Sequence, residues 1–229
     1  NNATIKKSSG TSHIIDTTHG AHRVCMSNLR FDGNSLGGSQ IIWRAHYSTL
    51  ENIYVENQGG ANYALRISGC NVSQFRNITV AGGYGGILID QTADTYVPLP
   101  QYGCLYSLFD KIVVAQTTKG SALKLAGSQV QAITFNNLYV EEPVGGVVPA
   151  IDISCGPIAA ISFNDLAAEY QTMAVPLIKI NGAEIYSIHF NGGRLSTGVT
   201  QTQPLFSLIN TNAVSIKNML FMATAAKIG

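Results

Sequence analysis

Glutamates close two near-copies of one short phrase in this chain of 229 residues, FNNLYVE at 135–141 and FNDLAAE at 163–169. If the copies lie side by side as parallel strands, Glu141 and Glu169 become outward neighbours about 4.8 Å apart. Two carboxylates at roughly 5 Å suit the nucleophile and acid/base of a retaining glycoside hydrolase; a spacing of two strands would suit an inverting one. Two residues before Glu141 stands Tyr139, and the next copy, FNGGRLS at 190–196, places Arg194 at the same position. An aromatic plane for a sugar ring and a guanidinium for an acidic sugar would then flank the glutamates. The alternative use is structural: solvated corner carboxylates balanced by a nearby arginine.

A rival acidic set comes from the segment DQTADTYVPLPQYG at 90–103 and the strand after it. It comprises Asp90, Asp94 and Asp110, with Tyr96 and Tyr102 as candidate sugar-binding rings. Elsewhere the charges read as structure. Lys124, Asp152 and Lys179 recur at one position of three successive repeats and form an alternating ladder, worth a few tenths of a kcal/mol per pair. The four cysteines, Cys25, Cys70, Cys104 and Cys155, lack CxxC or any metal-ligand spacing and read as small buried hydrophobes. No metal and no cofactor are expected.

What must position these residues is a repeat. The phrase recurs as MSNLRFD (26–32), LENIYVE (50–56), FRNITVA (75–81), FDKIVVA (109–115) and IKNMLFM (216–222), besides the copies already given. Apart from one longer interval at 90–103, the period is about 26 residues, the mark of a solenoid. Each repeat carries an alternating strand pattern such as Leu138/Val140, a second one such as Leu123/Leu125 or Ile151/Ile153, and a third apolar patch such as Val130/Ile133. Short β-branched segments exclude helical repeats, and the L-x-x-L-x-L frame of leucine-rich repeats is missing. The expectation is an all-β, right-handed parallel β-helix of about eight coils with three short strands per coil. One column reads Asn28, Asn52, Asn77, Lys111, Asn137, Asp165, Gly192, Asn218, which predicts a hydrogen-bonded asparagine ladder along the axis. Residues 1–229 form a single predicted domain with a projecting loop at about 90–103. It is expected to be a fragment whose natural caps lie outside it, since repeat arrays need atypical ends.

Apolar residues make up 45% of the chain and charged residues only 12%, with a net charge of +1. Such a balance points to extensive burial by stacking or by partner subunits. No basic run or basic–aromatic stripe suggests nucleic acid. No stretch of about 18 apolar residues suggests a membrane span.

Segments such as VCMSNLRFDGNSLGG and LENIYVENQGGANYALRISGCNVSQFRNITV resemble the pectate-lyase-like β-helix superfamily, and most of all the β-helix shaft of bacteriophage tailspikes. The resemblance covers nearly the whole chain as a coil pattern. It brings no catalytic signature of lyases or polygalacturonases. It implies a homotrimer on the virion tail, outside the cell, that binds bacterial surface polysaccharide and hydrolyses it. Two alternatives share the fold: a non-catalytic shaft or adhesin, and a monomeric cellular polysaccharide lyase or hydrolase.

Overall fold

A computed structural model describes residues 3–10, 13–17, 21–90, 104–127, 130–141, 143, 146–156, 158–170, 174–197 and 203–223. In chain order its strands are β1 (Ala3–Lys6), β2 (Ile15–Asp16), β3 (Cys25–Asp32), β4 (Ile41–Trp43), β5 (Thr49–Glu56), β6 (Tyr63–Ser68), β7 (Gln74–Ala81) and β8 (Gly85–Asp90). There follow β9 (Leu108–Ala115), β10 (Leu123–Gly127), β11 (Val130–Glu141), β12 (Ile151–Cys155), β13 (Ile158–Tyr170), β14 (Ile178–Thr197), β15 (Phe206–Thr211) and β16 (Val214–Ala223). Odd-numbered strands from β1 to β13 pair in succession, as do even-numbered strands from β2 to β12. The long β14 continues both ladders, carrying β15 on one segment and β16 on the other. Every pairing is parallel, and like residues meet in register: Phe75 with Phe109, Phe109 with Phe135, Phe135 with Phe163. This is the right-handed parallel β-helix. Its eight repeats enclose about seven turns.

The third apolar patch of each coil changes along the axis. In the early coils it is reduced to isolated bridges, His22 with His46 and Asn71 with Leu105. In β11, β13 and β14 it runs directly into the principal strand.

The core is a file of stacked side chains. Phe75, Phe109, Phe135, Phe163 and Phe190 lie ring on ring, with centroids 4.5, 4.7, 4.9 and 4.8 Å apart. Trp43 closes the file edge-on against Phe75 at 6.4 Å, and Phe206 closes it against Phe190 at 5.4 Å. All five phenylalanines are fully buried. Parallel in-register pairing imposes this geometry, because each ring has a like ring one strand spacing above and below.

Two corners recur along the coils, and both use left-handed backbone. At the first, Asn28, Asn52, Asn77, Lys111, Asn137, Asp165 and Asn218 have φ of 50–58°, with Gly192 at 78°. One residue in this conformation shifts the inward positions from alternate residues to a step of three. Phe135, Leu138 and Val140 therefore all face the core while Asn137 turns out. Asparagine and aspartate adopt αL at least cost after glycine, which explains the column's composition. The predicted ladder is only partly the reason for it. Asn52 donates to Asn28 at 3.0 Å and Asn77 to Asn52 at 2.9 Å, but Asn137 donates to Asp110 at 3.3 Å. In the later coils a ladder forms one residue earlier, from Asn191 to Asn164 and from Asn164 to Asn136. Gly193 is set by space, since a Cβ there would lie 2.0 Å from the Leu166 carbonyl oxygen.

The second corner puts Arg23, Tyr47, Val72, Tyr106, Ala132, Ala160 and Ser187 at φ of 51–58°. Just inside it, Ser48, Ser73 and Ser107 are buried, and each hydroxyl accepts a backbone N–H from the preceding coil, those of Val24, Ser48 and Ser73. The hydroxyls satisfy amide groups that the bend takes out of the ladder. Cys70 and Cys104 pack beside them as buried free thiols with sulfurs 3.1 Å apart. The buried reading of the cysteines fails at Cys25, which is exposed: it holds an outward position, in register with Thr49 and, through it, with exposed Gln74.

Two stability predictions follow from the file and the corner. Phe135→Ala opens a cavity in the middle of the stack and is expected to cost about 3–5 kcal/mol in urea denaturation. Lys111→Asn is expected to add up to about 1 kcal/mol, and Asn137→Leu to cost about 1–2 kcal/mol, by exchanging αL compatibility. Stabilities of Lys111→Asn and Asn137→Leu equal to wild type would contradict this account of the corner, and an undiminished stability of Phe135→Ala would contradict that of the file.

Candidate functional site

Glu141 closes the bent strand of β11, Glu169 lies in β13, and the two are register partners. Tyr139 is paired with Ala167, whose small side chain leaves room for the phenol to lean across the coil boundary. The Tyr139 hydroxyl then lies 3.2 Å from Glu141 Oε1 and 3.0 Å from Glu169 Oε2. Those two contacts, 3.2 and 3.0 Å, cap the separation of the two carboxylate oxygens at 6.2 Å. As register partners one strand spacing apart, the two carboxylates match the ~5–5.5 Å of retaining glycosidases better than the ~6.5–9.5 Å of inverting ones. On the far side Arg194 Nη2 pairs with Glu169 Oε1 at 2.9 Å. The backbone N–H of Gln116 donates to Glu141 Oε2 at 3.2 Å. The four residues Tyr139, Glu141, Glu169 and Arg194 thus form one connected group on the outer surface.

The phenol between two carboxylates has one proton for two acceptors. Burial first, and then its hydrogen bond to Glu169 and the charges of both glutamates, push the Tyr139 pKa far above the ordinary tyrosine range. Arg194 supplies the positive charge on one side only. The group is therefore asymmetric, with Glu169 charge-compensated and Glu141 facing no cation among the described residues.

Of the rival acids, Asp90 and Asp110 lie on different ladders. Asp90 ends β8 as a nearly buried residue of the even-numbered ladder, and its carboxylate is gripped by Arg66 through Nε at 3.1–3.2 Å and Nη2 at 2.7 Å. Asp110 belongs to β9, in register with Arg76 and Asn136, and accepts from Asn137. Asp94, Tyr96 and Tyr102 lie outside the described residues. Lys124 and Asp152 form the expected ion pair at 3.4 Å, and Asp152 is the register partner of Lys179.

The sequence reading passed over a second carboxylate pair on the same ladder. Asp32 of β3 and Glu56 of β5 are register partners, accompanied by Arg30 and Tyr54. Here the tyrosine does not bridge. Arg30 binds Glu56 with Nη2–Oε1 at 2.5 Å and lies 5.1 Å above the Tyr54 ring, a cation–π contact. Asp32 accepts from Asn34 N–H at 2.8 Å and from Asn57, and Lys6 is 3.5 Å away. The Asn34 hydrogen bond, more than the others, holds Asp32 below the usual carboxylate range. Every partner of this pair is local, and its use is to tie adjacent coils. The column's signal was visible in the sequence; which tyrosine bridges two acids depended on Ala167 standing opposite Tyr139 on the side of the second acid, whereas Arg30 stands opposite Tyr54 on the side of Asp32.

Among the described residues no group of three or more His, Cys, Asp or Glu side chains is placed to hold a metal ion. Nor is any helix long and apolar enough to cross a membrane. Compared with known protein families, curated proteins and solved structures, the chain matches none. The likeness to β-helix proteins is accordingly one of architecture.

The tyrosine shift has a consequence for pH. Tyr139 binds its proton more tightly folded than unfolded, as does half-buried Tyr63, pushed up to about 12 by desolvation. Their stabilising contributions are complete below the unfolded tyrosine pKa of about 10 and decline as pH rises above it. Tyr139→Phe is expected to flatten the fall in melting temperature between about pH 10 and 12. A wild-type alkaline slope retained in this variant would contradict the shift.

Proposed function

We propose that this protein binds bacterial surface polysaccharide and hydrolyses it at Glu141 and Glu169, in the manner of a phage tailspike. The β-helix fold is compatible with polysaccharide-binding and depolymerase proteins. The observation that carries the enzymatic reading is the Tyr139 hydroxyl bridging two outward carboxylates within reach of a double displacement. Arg194, paired with Glu169 at 2.9 Å, holds that carboxylate in place as the nucleophile: its oxygen attacks the anomeric carbon as the glycosidic bond breaks. Glu141 gives its proton to the departing glycosidic oxygen and then takes one from the water that releases the glycosyl–enzyme. The same arginine pairs with a sugar carboxylate where the substrate is acidic.

A trimer located on the virion tail belongs to this reading. Outward Leu88 and Val113 are only half covered by their own coil, and burying such residues favours assembly. The second reading, a non-catalytic shaft or adhesin, is favoured by the self-sufficiency of the site: Gln116 and Arg194 already satisfy the two acids. A monomeric cellular lyase or hydrolase is the third.

The deciding experiment incubates a panel of surface polysaccharides with wild type and with a Glu141→Gln/Glu169→Gln variant. Reducing ends released by wild type, and reduced by about 10³-fold or more in the variant, are expected. Unsaturated products detected by ultraviolet absorbance would replace hydrolysis with elimination, and undiminished cleavage by the variant would remove the glutamates from catalysis. Light scattering after size exclusion is expected to give three chains per particle; a single chain would favour the cellular enzyme.

A further inference from the structure

The second left-handed corner carries large side chains in four successive coils, Arg23, Tyr47, Val72 and Tyr106, and small ones in the next three, Ala132, Ala160 and Ser187. The bend itself requires no bulk, since alanine and serine make it equally well. Tyrosine, and above all β-branched valine, are poor occupants of αL, where strain of about 1–3 kcal/mol is expected. Burial does not offset that cost. Tyr47 is 58% exposed, Val72 46% and Tyr106 67%.

One end of this stripe is a constructed concavity. The His22 ring stacks on Tyr47 with centroids 5.9 Å apart and planes 16° from parallel, and lies 5.3 Å from the His46 ring. His46 is buried, and its Nδ1 accepts the Asn71 N–H at 3.0 Å, which fixes the ring that supports His22. Arg23 is exposed and joins no ion pair among the described residues. His22, Arg23 and Tyr47 line an open hollow of about 420 Å³. That is within the ~300–1,000 Å³ usual for small-ligand sites.

We propose that this corner is a second, non-catalytic subsite that holds acidic polysaccharide lengthwise along the solenoid. Tyr47 and Tyr106 stand two coils apart, about 9.6 Å; the Tyr106 ring and the part of Tyr47 not covered by His22 are open to the apolar faces of successive sugars, with Val72 as the floor between them. Arg23, with His22 beside it, receives a sugar carboxylate. A protein partner fits less well: four exposed side chains fall short of the ~800 Å² per partner of a stable protein interface. The identity of the ligand rests on the polysaccharide reading above. The subsite lies on a different corner from Glu141 and Glu169, in the coils that precede them, and suits retention of a long chain between cleavages.

The test uses the full chain on arrays of purified bacterial capsular polysaccharides, acidic and neutral, with polygalacturonate included. Tyr47→Gly and Tyr106→Gly relieve backbone strain, so they are expected to keep or raise the melting temperature while weakening retention of acidic polysaccharide about tenfold or more. Arg23→Gln is expected to lose the preference for acidic over neutral chains. Glu141→Gln/Glu169→Gln should retain polysaccharide that it no longer cleaves. Unchanged retention in the Tyr47, Tyr106 and Arg23 variants overturns the corner subsite and leaves the glutamate site standing. Retention of no polysaccharide by wild type overturns both.

Discussion

Parallel in-register pairing is the constraint from which the rest of this molecule follows. Each residue sits one strand spacing from the residue at the same place in the next coil, so a choice made once must be tolerated above and below. Inside, this rewards like on like: five phenylalanine rings make one continuous stack, and aliphatic columns flank it. The strand can bend only where the backbone admits a left-handed residue, so the corners recur as columns too. Asn, Asp and Gly hold one corner, and Lys111 is the position where the conformation persists without a residue suited to it.

On the outside the same rule creates a problem. A carboxylate repeated in successive coils faces its own kind at about 4.8 Å, and like charges at that distance need compensation. The chain solves this three ways. Lys124 and Asp152 alternate in sign. Asp32 and Glu56 are each neutralised by separate local partners. Glu141 and Glu169 share a phenol that cannot give a proton to both, with one arginine on one side. Only the third arrangement joins its two acids through one shared side chain, which holds both within reach of a common point.

Strain separates the corners that the coil itself explains from those it does not by a similar argument. A bend needed by the coil is met at least cost by small or Asx residues, and most positions follow that rule. Tyr47, Val72 and Tyr106 depart from it while remaining exposed, so neither backbone preference nor burial accounts for their size. Two surfaces thus stand out along one shaft, an acidic group over β11 and β13 and an aromatic, cationic corner over the earlier coils.

Much of this was legible in the sequence because a solenoid turns spacing into position. The period near 26 residues and the alternation Leu138/Val140 determined the parallel β-helix, and the aligned columns determined that Glu141 meets Glu169 and that Phe135 stacks on Phe163. Side-chain reach and backbone hand were not legible there. The columns do not record that Tyr139 leans over Ala167 to span both glutamates, or that Asp90 turns to Arg66. Nor does any periodicity distinguish an asparagine kept for its ladder from one kept for its positive φ. Repetition along the chain decides which residues become neighbours. The three-dimensional packing alone decides which way each side chain points and which partner completes its hydrogen bonds, because those depend on the volume and shape of residues in the adjoining coil.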